Sequence, residues 1–338
     1  MKHQHYTILI SSYGSHLQGL GHIVRDISLY RALALNHEVI FHAAGVTRQV
    51  YRKLQQEGVR NIVQGTLRQT ILSYYPNLII YDKPYALGMM ESFYGVPHPP
   101  VVALDYFYYQ DPRICAAINI YNHNLKKGQS VLFRRIYEGL EYSIVRDEVL
   151  SYRKQKSFSQ GMARRVLLTF GGADPRNNTQ KSIAILERLA HPPVSVYVIV
   201  GPKFRKGVEY RLGKNHRYRI ETNVQEMGAL MGSIDIAFCG AGVTLAELMA
   251  LGCPCVIIPQ NNAELLLARS IAKKGGVLLL ESRQTTQGNH VQRVQRLIKH
   301  WHDREAMGHR AQQLVDGHGR ERVLEIIRKE LIRHASLV

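Results

Sequence analysis

The chain has 338 residues, 45% of them hydrophobic, and carries 44 Lys and Arg against 26 Asp and Glu for a formal net charge of +18. That length and apolar content suit two folded domains and exclude a disordered chain. No apolar run reaches the ~18 residues of a membrane-spanning helix, and Met1 to Tyr6 leads into a strand-like Thr7 to Ile10 without a secretory h-region and cleavage site.

The first half alternates strand-like and helix-like segments. Residues 7–11 form an apolar strand, followed by a polar, glycine-rich loop from Ser12 to His22 and a helical pattern from Ile23 to Ala34. Val39 to Ala43 is the next strand, 47–57 a helix, Ile62-Val63 a short strand and 66–75 a helix. Leu78 to Tyr81 is a strand ending at Asp82; a helix near 86–94 follows, then a strand from Pro100 to Leu104 ending at Asp105. Such alternation predicts an α/β fold with a parallel sheet covered on both faces. Ligands gather at the carboxyl ends of such strands, where Gly21-His22, Asp82 and Asp105 fall.

Residues 151–163 are polar and basic and read as a linker between an N-terminal domain, 1–150, and a C-terminal domain, 164–338. The second series opens with the strand Arg165 to Phe170 and the turn Gly171-Gly172-Ala173-Asp174-Pro175. A helix at Thr179 to Leu189, a strand at Val194 to Val200, a strand near Tyr218 to Ile220 and a short helix at Val224 to Met231 follow. Beyond the opening of the next unit come the strand Cys255 to Ile258, the helix Glu264 to Lys274, the strand Val277 to Leu280, and helices at 287–302, 303–315 and 319–334. The last helices are candidates to pack back on the first domain. Two doubly wound Rossmann-like domains are expected to face a cleft.

The organising stretch of the second half is the strand Ile234 to Phe238, the turn Gly240-Ala241-Gly242 and a helical pattern through Val243, Thr244, Leu245 and Leu248 to Gly252-Cys253-Pro254. The N–H groups at a helix N-terminus lack partners and the dipole favours an anion there. Glycine lets the main chain approach a phosphate closely. Glu247, on the first turns, is placed to accept from a sugar hydroxyl; an ordinary strand-turn-helix with a solvated acid fits the same residues.

The charge excess predicts attraction to polyanions or an anionic membrane face. A basic surface around a small anionic substrate accounts for it as well. No nucleic-acid recognition motif accompanies it. Cys115, Cys239, Cys253 and Cys255 have no metal-ligand spacing and read as buried thiols in a reducing cytoplasm.

Several strings, in one collinear order over nearly the whole chain, resemble a known family. Gly19-Leu20-Gly21-His22-Ile23-Val24-Arg25 resembles the Gly-x-Gly-His-x-x-Arg signature of the pseudaminic-acid UDP-sugar hydrolases and related spore-coat polysaccharide proteins. Gly139 to Arg146 resembles their Gly-x-x-Tyr-x-x-x-Arg segment, and Phe170 to Pro175 their Phe-Gly-Gly-x-Asp-Pro turn. Gly240 to Leu248 and Gly252 to Pro259 are similar to the nucleotide-binding half shared with the peptidoglycan N-acetylglucosaminyl transferase. The resemblance implies a GT-B glycosyltransferase fold whose second domain binds the UDP part of a nucleotide sugar. It implies that Gly240, Ala241, Gly242, Val243 and Thr244 cradle the diphosphate and that Glu247 holds the ribose. By the same resemblance, Gly171 and Gly172 line the cleft beside the sugar-diphosphate, and His22 is the general base.

The chemistry agrees with those roles. A departing diphosphate needs its charge neutralised, which helix-terminal N–H groups can do without a metal, and there is no Asp-x-Asp pair to hold a divalent ion. A base that works near pH 7 is most readily a histidine. Arg25, three residues on, either orients a carboxylate or phosphate or is a solvated helix residue. Departures from the family cluster where the acceptor is set: Ser11 to His16 replaces an Arg-x-Asp-x-Ser run, Asp26 stands where Cys follows the signature Arg, and Asp82-Lys83-Pro84-Tyr85 is one residue longer than Asp-x-Tyr. A fourth, Glu264 for the expected glutamine in the run through Asn262, bears on contacts to the sugar.

The leading expectation is a metal-independent glycosyltransferase using a UDP-sugar as substrate, with no cofactor, in cell-surface polysaccharide or glycoconjugate synthesis. It would work in the cytoplasm or peripherally at the inner membrane face. The alternative is a UDP-sugar hydrolase of the pseudaminic-acid type, with water as acceptor and UDP and a free amino-deoxy sugar as products. A third reading is a non-catalytic nucleotide-sugar or polyanion-binding protein.

Overall fold

The computed structural model describes residues 5–13, 21–44, 46–82, 96, 99–105, 113–121, 135–153, 160–190, 192–201, 204, 210, 212–222, 224–281 and 288–335. The chain divides into two units, one made of Met1–Ile144 with His318–Val338 and the other of Val145–Gly317.

In the first unit the strands are β1 (Thr7–Tyr13), β2 (Glu38–Ala44), β3 (Ile62–Val63), β4 (Leu78–Asp82), β5 (Val101–Leu104), β6 (Ile114–Asn119) and β7 (Ile136–Glu138). They pair in parallel in the order β3-β2-β1-β4-β5-β6-β7. Successive side chains of a strand point to opposite faces. Ile8 and Ile10 therefore join one core with Leu78 and Ile80, while Leu9 joins another with Ile79 and Tyr81. Both faces are buried, as a parallel sheet requires.

The helix Gly21–Leu33 packs Ile23, Ile27 and Leu29 into the first of these cores, yet Arg25 and Asp26 on it are buried too. The helix Gly319–Ala335 adds Val323, Ile326, Ile327 and Leu331 to the same core. Arg135 Nη1 holds both oxygens of the fully buried Glu330 at 2.8 and 2.9 Å, and Arg322 Nη1 donates to the Glu141 carbonyl at 2.8 Å.

The second unit carries β8 (Arg165–Thr169), β9 (Ser195–Val200), β10 (Arg217–Thr222), β11 (Ile236–Cys239), β12 (Cys255–Ile257) and β13 (Leu278–Leu279). Their order is β10-β9-β8-β11-β12-β13, again all parallel. Val166, Leu168, Val196, Val198, Phe238 and Val256 form its core. In each sheet the order reverses once, between β1 and β4 and between β8 and β11. Such reversals open a crevice beyond the strand ends.

The structure adds β6, β7 and the short helix Asp147–Leu150 to the elements expected from the sequence. The helix expected near 86–94 lies outside the described residues. The sequence cut at 150/151 differs from the observed division at 144/145. Side chains on both sides of the sequence cut tie it to the second unit: Glu148 Oε1 accepts from Gly228 N at 2.9 Å, and Arg153 Nη1 donates to the carbonyls of Ala250 and Val315 at 2.7 and 3.1 Å. Of the last three helices, Gly319–Ala335 lies in the first unit, while Gly288–Lys299 and Trp301–Leu314 lie in the second.

Candidate active site

The reversal of the first sheet carries a cluster of charged side chains. Register pairs Ser12 of β1 with Asp82 at the end of β4, and the helix Gly21–Leu33 brings His22 and Arg25 over them. His22 Nδ1 lies 2.6 Å from Asp82 Oδ1. Arg25 forks onto the same carboxylate, Nε to Oδ2 at 2.6 Å and Nη2 to Oδ1 at 2.5 Å, and its Nη1 donates to Asp105 Oδ2. Asp105 Oδ1 in turn accepts from the N–H groups of Ile120 and Tyr121 at 2.7 and 3.1 Å.

These contacts give each group a state. Burial alone would raise the Asp82 carboxyl, but the Arg25 guanidinium and then His22 outweigh it and hold it well below the usual carboxylate range. An ionised Asp82 so close to Nδ1 requires the proton on Nδ1, which leaves Nε2 of a ring that is 25% exposed as the nitrogen able to take a proton. Arg25 is 2% exposed and fixed by two carboxylates, so the solvated-residue reading is overturned. Asp82 is fully buried, with both oxygens engaged. Expected from the sequence at a strand end where ligands gather, Asp82 is turned here toward His22 and Arg25.

Asp26, next in the helix, is also fully buried, and neither of its oxygens meets a hydrogen-bond partner; Ser12 Oγ is likewise unpartnered. Burial and then the charge of Asp82 push the Asp26 carboxyl well above its ordinary range, against the opposing pull of Arg25. Gly21 is the first residue of the helix; Gly19 and Tyr85 lie outside the described residues.

At the reversal of the second sheet the groups are mostly backbone. The helix Val243–Leu251 starts at Gly242, where no side chain caps it. Leu245 N turns back to the Gly242 carbonyl at 3.0 Å, and among the described residues no side chain meets the helix N–H groups before it; Gly242 is exposed with Val243 and Thr244 partly so. A Cβ placed on Gly242 would meet nothing within 4 Å. Across the reversal, Gly171 takes a left-handed φ of 76°, and Gly201 packs so tightly on this turn that a Cβ would fall 2.3 Å from the Gly171 carbonyl and 2.6 Å from that of Gly172. Asp174, in the same motif, caps the helix Asn178–Leu186: its oxygens accept from Asn178 N at 2.8 Å and Thr179 N at 2.7 Å.

Two acids complete this end of the sheet. Glu247 is 3% exposed, and Arg146 grips its oxygens through Nε and Nη2 at 2.6 and 3.1 Å. The sequence reading missed this pair because nothing local links residues 101 positions apart. Glu264 Oε2 accepts from Gln260 N at 2.9 Å and Ala241 N at 3.2 Å. Asn262 is the exposed first residue of the helix Asn262–Lys273, and Asn261, just before it, is the cap that accepts from Glu264 N at 2.9 Å.

The four cysteines are buried thiols outside any disulfide, as expected. Among the described residues, Cys115, Glu330 and His334 bring metal-ligand atom types within 4.8 Å of one another. Arg135 and Arg333 both pair with Glu330, and burial pushes the Cys115 thiol up to about 12, which disfavours a cation there.

Residues 166–321 match the glycosyltransferase family 28 C-terminal domain. The chain is 27% identical over 279 residues to an uncharacterised protein of Methanocaldococcus jannaschii (76% of this chain, 56% of that one). It is 25% identical over 199 residues to the spore coat polysaccharide biosynthesis protein SpsG of Bacillus subtilis (57% of this chain, 58% of that one). The chain thus spans little more than half the length of these relatives. Over 165 residues it is 28% identical to the UDP-N-acetylglucosamine–N-acetylmuramyl-(pentapeptide) pyrophosphoryl-undecaprenol N-acetylglucosamine transferase of Desulforudis audaxviator (42% of this chain, 43% of that one). In fold it is similar to MurG of Acinetobacter baumannii at a TM-score of 0.67 and 13% identity, covering 96% of this chain and 99% of that one. In sequence over part of its length the chain is similar to SpsG- and MurG-like proteins, and in fold over nearly all of it to MurG, with two Rossmann-like units of the GT-B glycosyltransferase fold.

Proposed function

We propose that this chain is a glycosyltransferase that takes a sugar from a UDP-sugar in cell-surface polysaccharide or glycoconjugate synthesis. The observation that carries the reading is the His22–Asp82 pair, with its protonated Nδ1 and available Nε2, in a chain whose residues 166–321 match a glycosyltransferase domain. The acceptor hydroxyl gives its proton to His22 Nε2 and its oxygen bonds the anomeric carbon. The sugar–diphosphate bond breaks and its electron pair leaves on UDP. Asp82, held in place by Arg25, orients the base, and its carboxylate charge balances the imidazolium that forms.

The N–H groups at the start of the helix Val243–Leu251 meet the charge of the departing diphosphate without a metal. Glu247 is the acid that a ribose hydroxyl would meet beside Arg146. A panel of nucleotide sugars, with and without cell-envelope extract and with and without a chelator, tests the reading. Acceptor-dependent release of UDP that the chelator leaves unchanged supports it. Free sugar formed at the rate of UDP release, whatever the acceptor, replaces it with a hydrolase, and no turnover of any donor replaces it with a binding protein.

The charge of +18 supports a peripheral place at an anionic membrane face or an anionic polymer acceptor. Among the described residues no helix is long and apolar enough to cross a membrane. Binding to anionic vesicles that falls steeply with salt supports attachment; no binding at low salt removes it.

A further inference from the structure

The glycine turn that leads into the proposed donor site already holds a carboxylate. Glu264 Oε2 takes one hydrogen bond from the turn after β11, at Ala241 N, and one from the segment after β12, at Gln260 N. A Cβ built on Gly240 would lie 2.9 Å from Glu264 Oε2 and 3.4 Å from Oε1, so the carboxylate rests against the backbone of the glycine turn. The same Cβ would lie 3.0 Å from Gln260 Nε2, an amide fixed on the Phe170 carbonyl at 3.2 Å.

Local helix chemistry does not demand this arrangement. Asn261 caps the helix and Glu264 is the third residue in, the position from which an acid ordinarily reaches back to its own cap N–H. Here it reaches past the cap to Gln260 and across to another loop. Of the groups facing it, Arg176, from the turn after β8, is charged; Gln260 and the Ala241 N–H do not titrate.

We propose that Glu264 is a built-in anion at the donor site and that a nucleoside diphosphate binds there with uptake of one proton by this carboxylate. The inference rests on the reading of the glycine turn as the diphosphate site. Two anions against the same short turn repel, and protonating one of them removes the conflict. Burial already raises the Glu264 carboxyl, against the pull of the Gln260 and Ala241 N–H groups and Arg176. Binding linked to uptake of a proton strengthens as pH falls, by up to about tenfold per pH unit. The consequence is a donor site whose affinity is set by one side chain outside the turn itself.

Calorimetry of UDP on the full chain and on Glu264→Gln, between about pH 5.5 and 8, tests it. The amide keeps the shape and one acceptor oxygen, and comparing the two proteins cancels the titration of UDP itself. The variant is expected to bind about tenfold or more tightly than wild type at the alkaline end. The ratio should close toward the acid end, and only wild type should show the extra proton uptake in buffers of different ionisation enthalpy. Adding Gly242→Val should weaken UDP in both backgrounds, which ties the signal to this turn. Equal affinity and equal pH dependence in wild type and Glu264→Gln overturn the proposal while leaving the donor site standing. A gain that survives Gly242→Val also overturns it. No UDP binding by either protein removes the donor site and the proposal together.

Discussion

The two units use the same sheet plan and put opposite materials at the same place in it. Each sheet reverses order once, between β1 and β4 and between β8 and β11. At the first reversal the site is made of side chains: His22, Arg25, Asp82, Asp105 and Asp26, nearly all buried. At the second it is made of main chain: the Gly171-Gly172 turn and the uncapped start of the helix Val243–Leu251, with two acids held against it. A side-chain site can move a proton but depends on every partner staying in place. A main-chain site offers fixed partial charges that no single substitution removes, yet a side chain can cover it. The two therefore ought to fail differently when mutated.

The largest effect is expected where a buried charge loses its partner. Arg25→Met leaves Asp82 and Asp105 facing each other in the first unit, and removal of one member of such a network costs about 3–5 kcal/mol. Urea unfolding followed by intrinsic fluorescence should show that loss; a variant as stable as wild type would mean that the guanidinium does not hold the two carboxylates.

Next comes His22→Ala, which removes the proton acceptor and leaves the main-chain site untouched. Turnover should drop about a hundredfold or more with UDP affinity unchanged. Loss of melting temperature with turnover per folded molecule intact would instead make His22 a structural residue.

Gly242→Val sharpens the other side of the comparison. A Cβ at this position meets nothing within 4 Å, so folding should be unaffected while the approach to the turn is blocked. UDP should bind about tenfold more weakly, an effect of about 1.4 kcal/mol. Unchanged affinity would place the diphosphate elsewhere.

The smallest effect, per unit of the variable changed, belongs to Asp26. Its folded carboxyl lies above its unfolded value, so the folded state binds the extra proton and stability falls as pH rises through that window. Asp26→Asn abolishes this slope. Its stability relative to wild type should therefore grow by about 1.4 kcal/mol per pH unit above the ordinary carboxylate range of about 4. Denaturation at two pH values that gives the same difference would mean that Asp26 is ionised in the folded protein.

The main-chain site was the more legible of the two from sequence. Ile234 to Phe238, the glycines and the helical pattern after them are all local, and local patterns survive in a linear reading. The strand β6 escaped it because Cys115, Ala116 and Ala117 are small residues that look less like a strand than the Val and Ile of β5. The side-chain site was legible only in part. His22 stood out beside its glycines, but Arg25 meets Asp82 and Asp105 at separations of 57 and 80 residues. No spacing rule predicts which acids a helix will find once the sheet is assembled. The same holds for Glu264, whose cap at Asn261 is a local signal while its bond to Ala241 spans 23 residues.

The helix Gly319–Ala335 fixes an order of events during synthesis. It supplies Val323, Ile326, Ile327 and Leu331 to a core otherwise built from residues before 145. As the chain leaves the ribosome, the second unit, Val145–Gly317, emerges as one contiguous stretch, whereas the first emerges earlier and keeps an apolar face uncovered until residues 319–335 arrive. Domains usually mature in the order in which they are made; here the first to appear is the last to be finished. A transcript broken shortly before Gly319 would yield a product with its family 28 match nearly whole and its first half prone to aggregate.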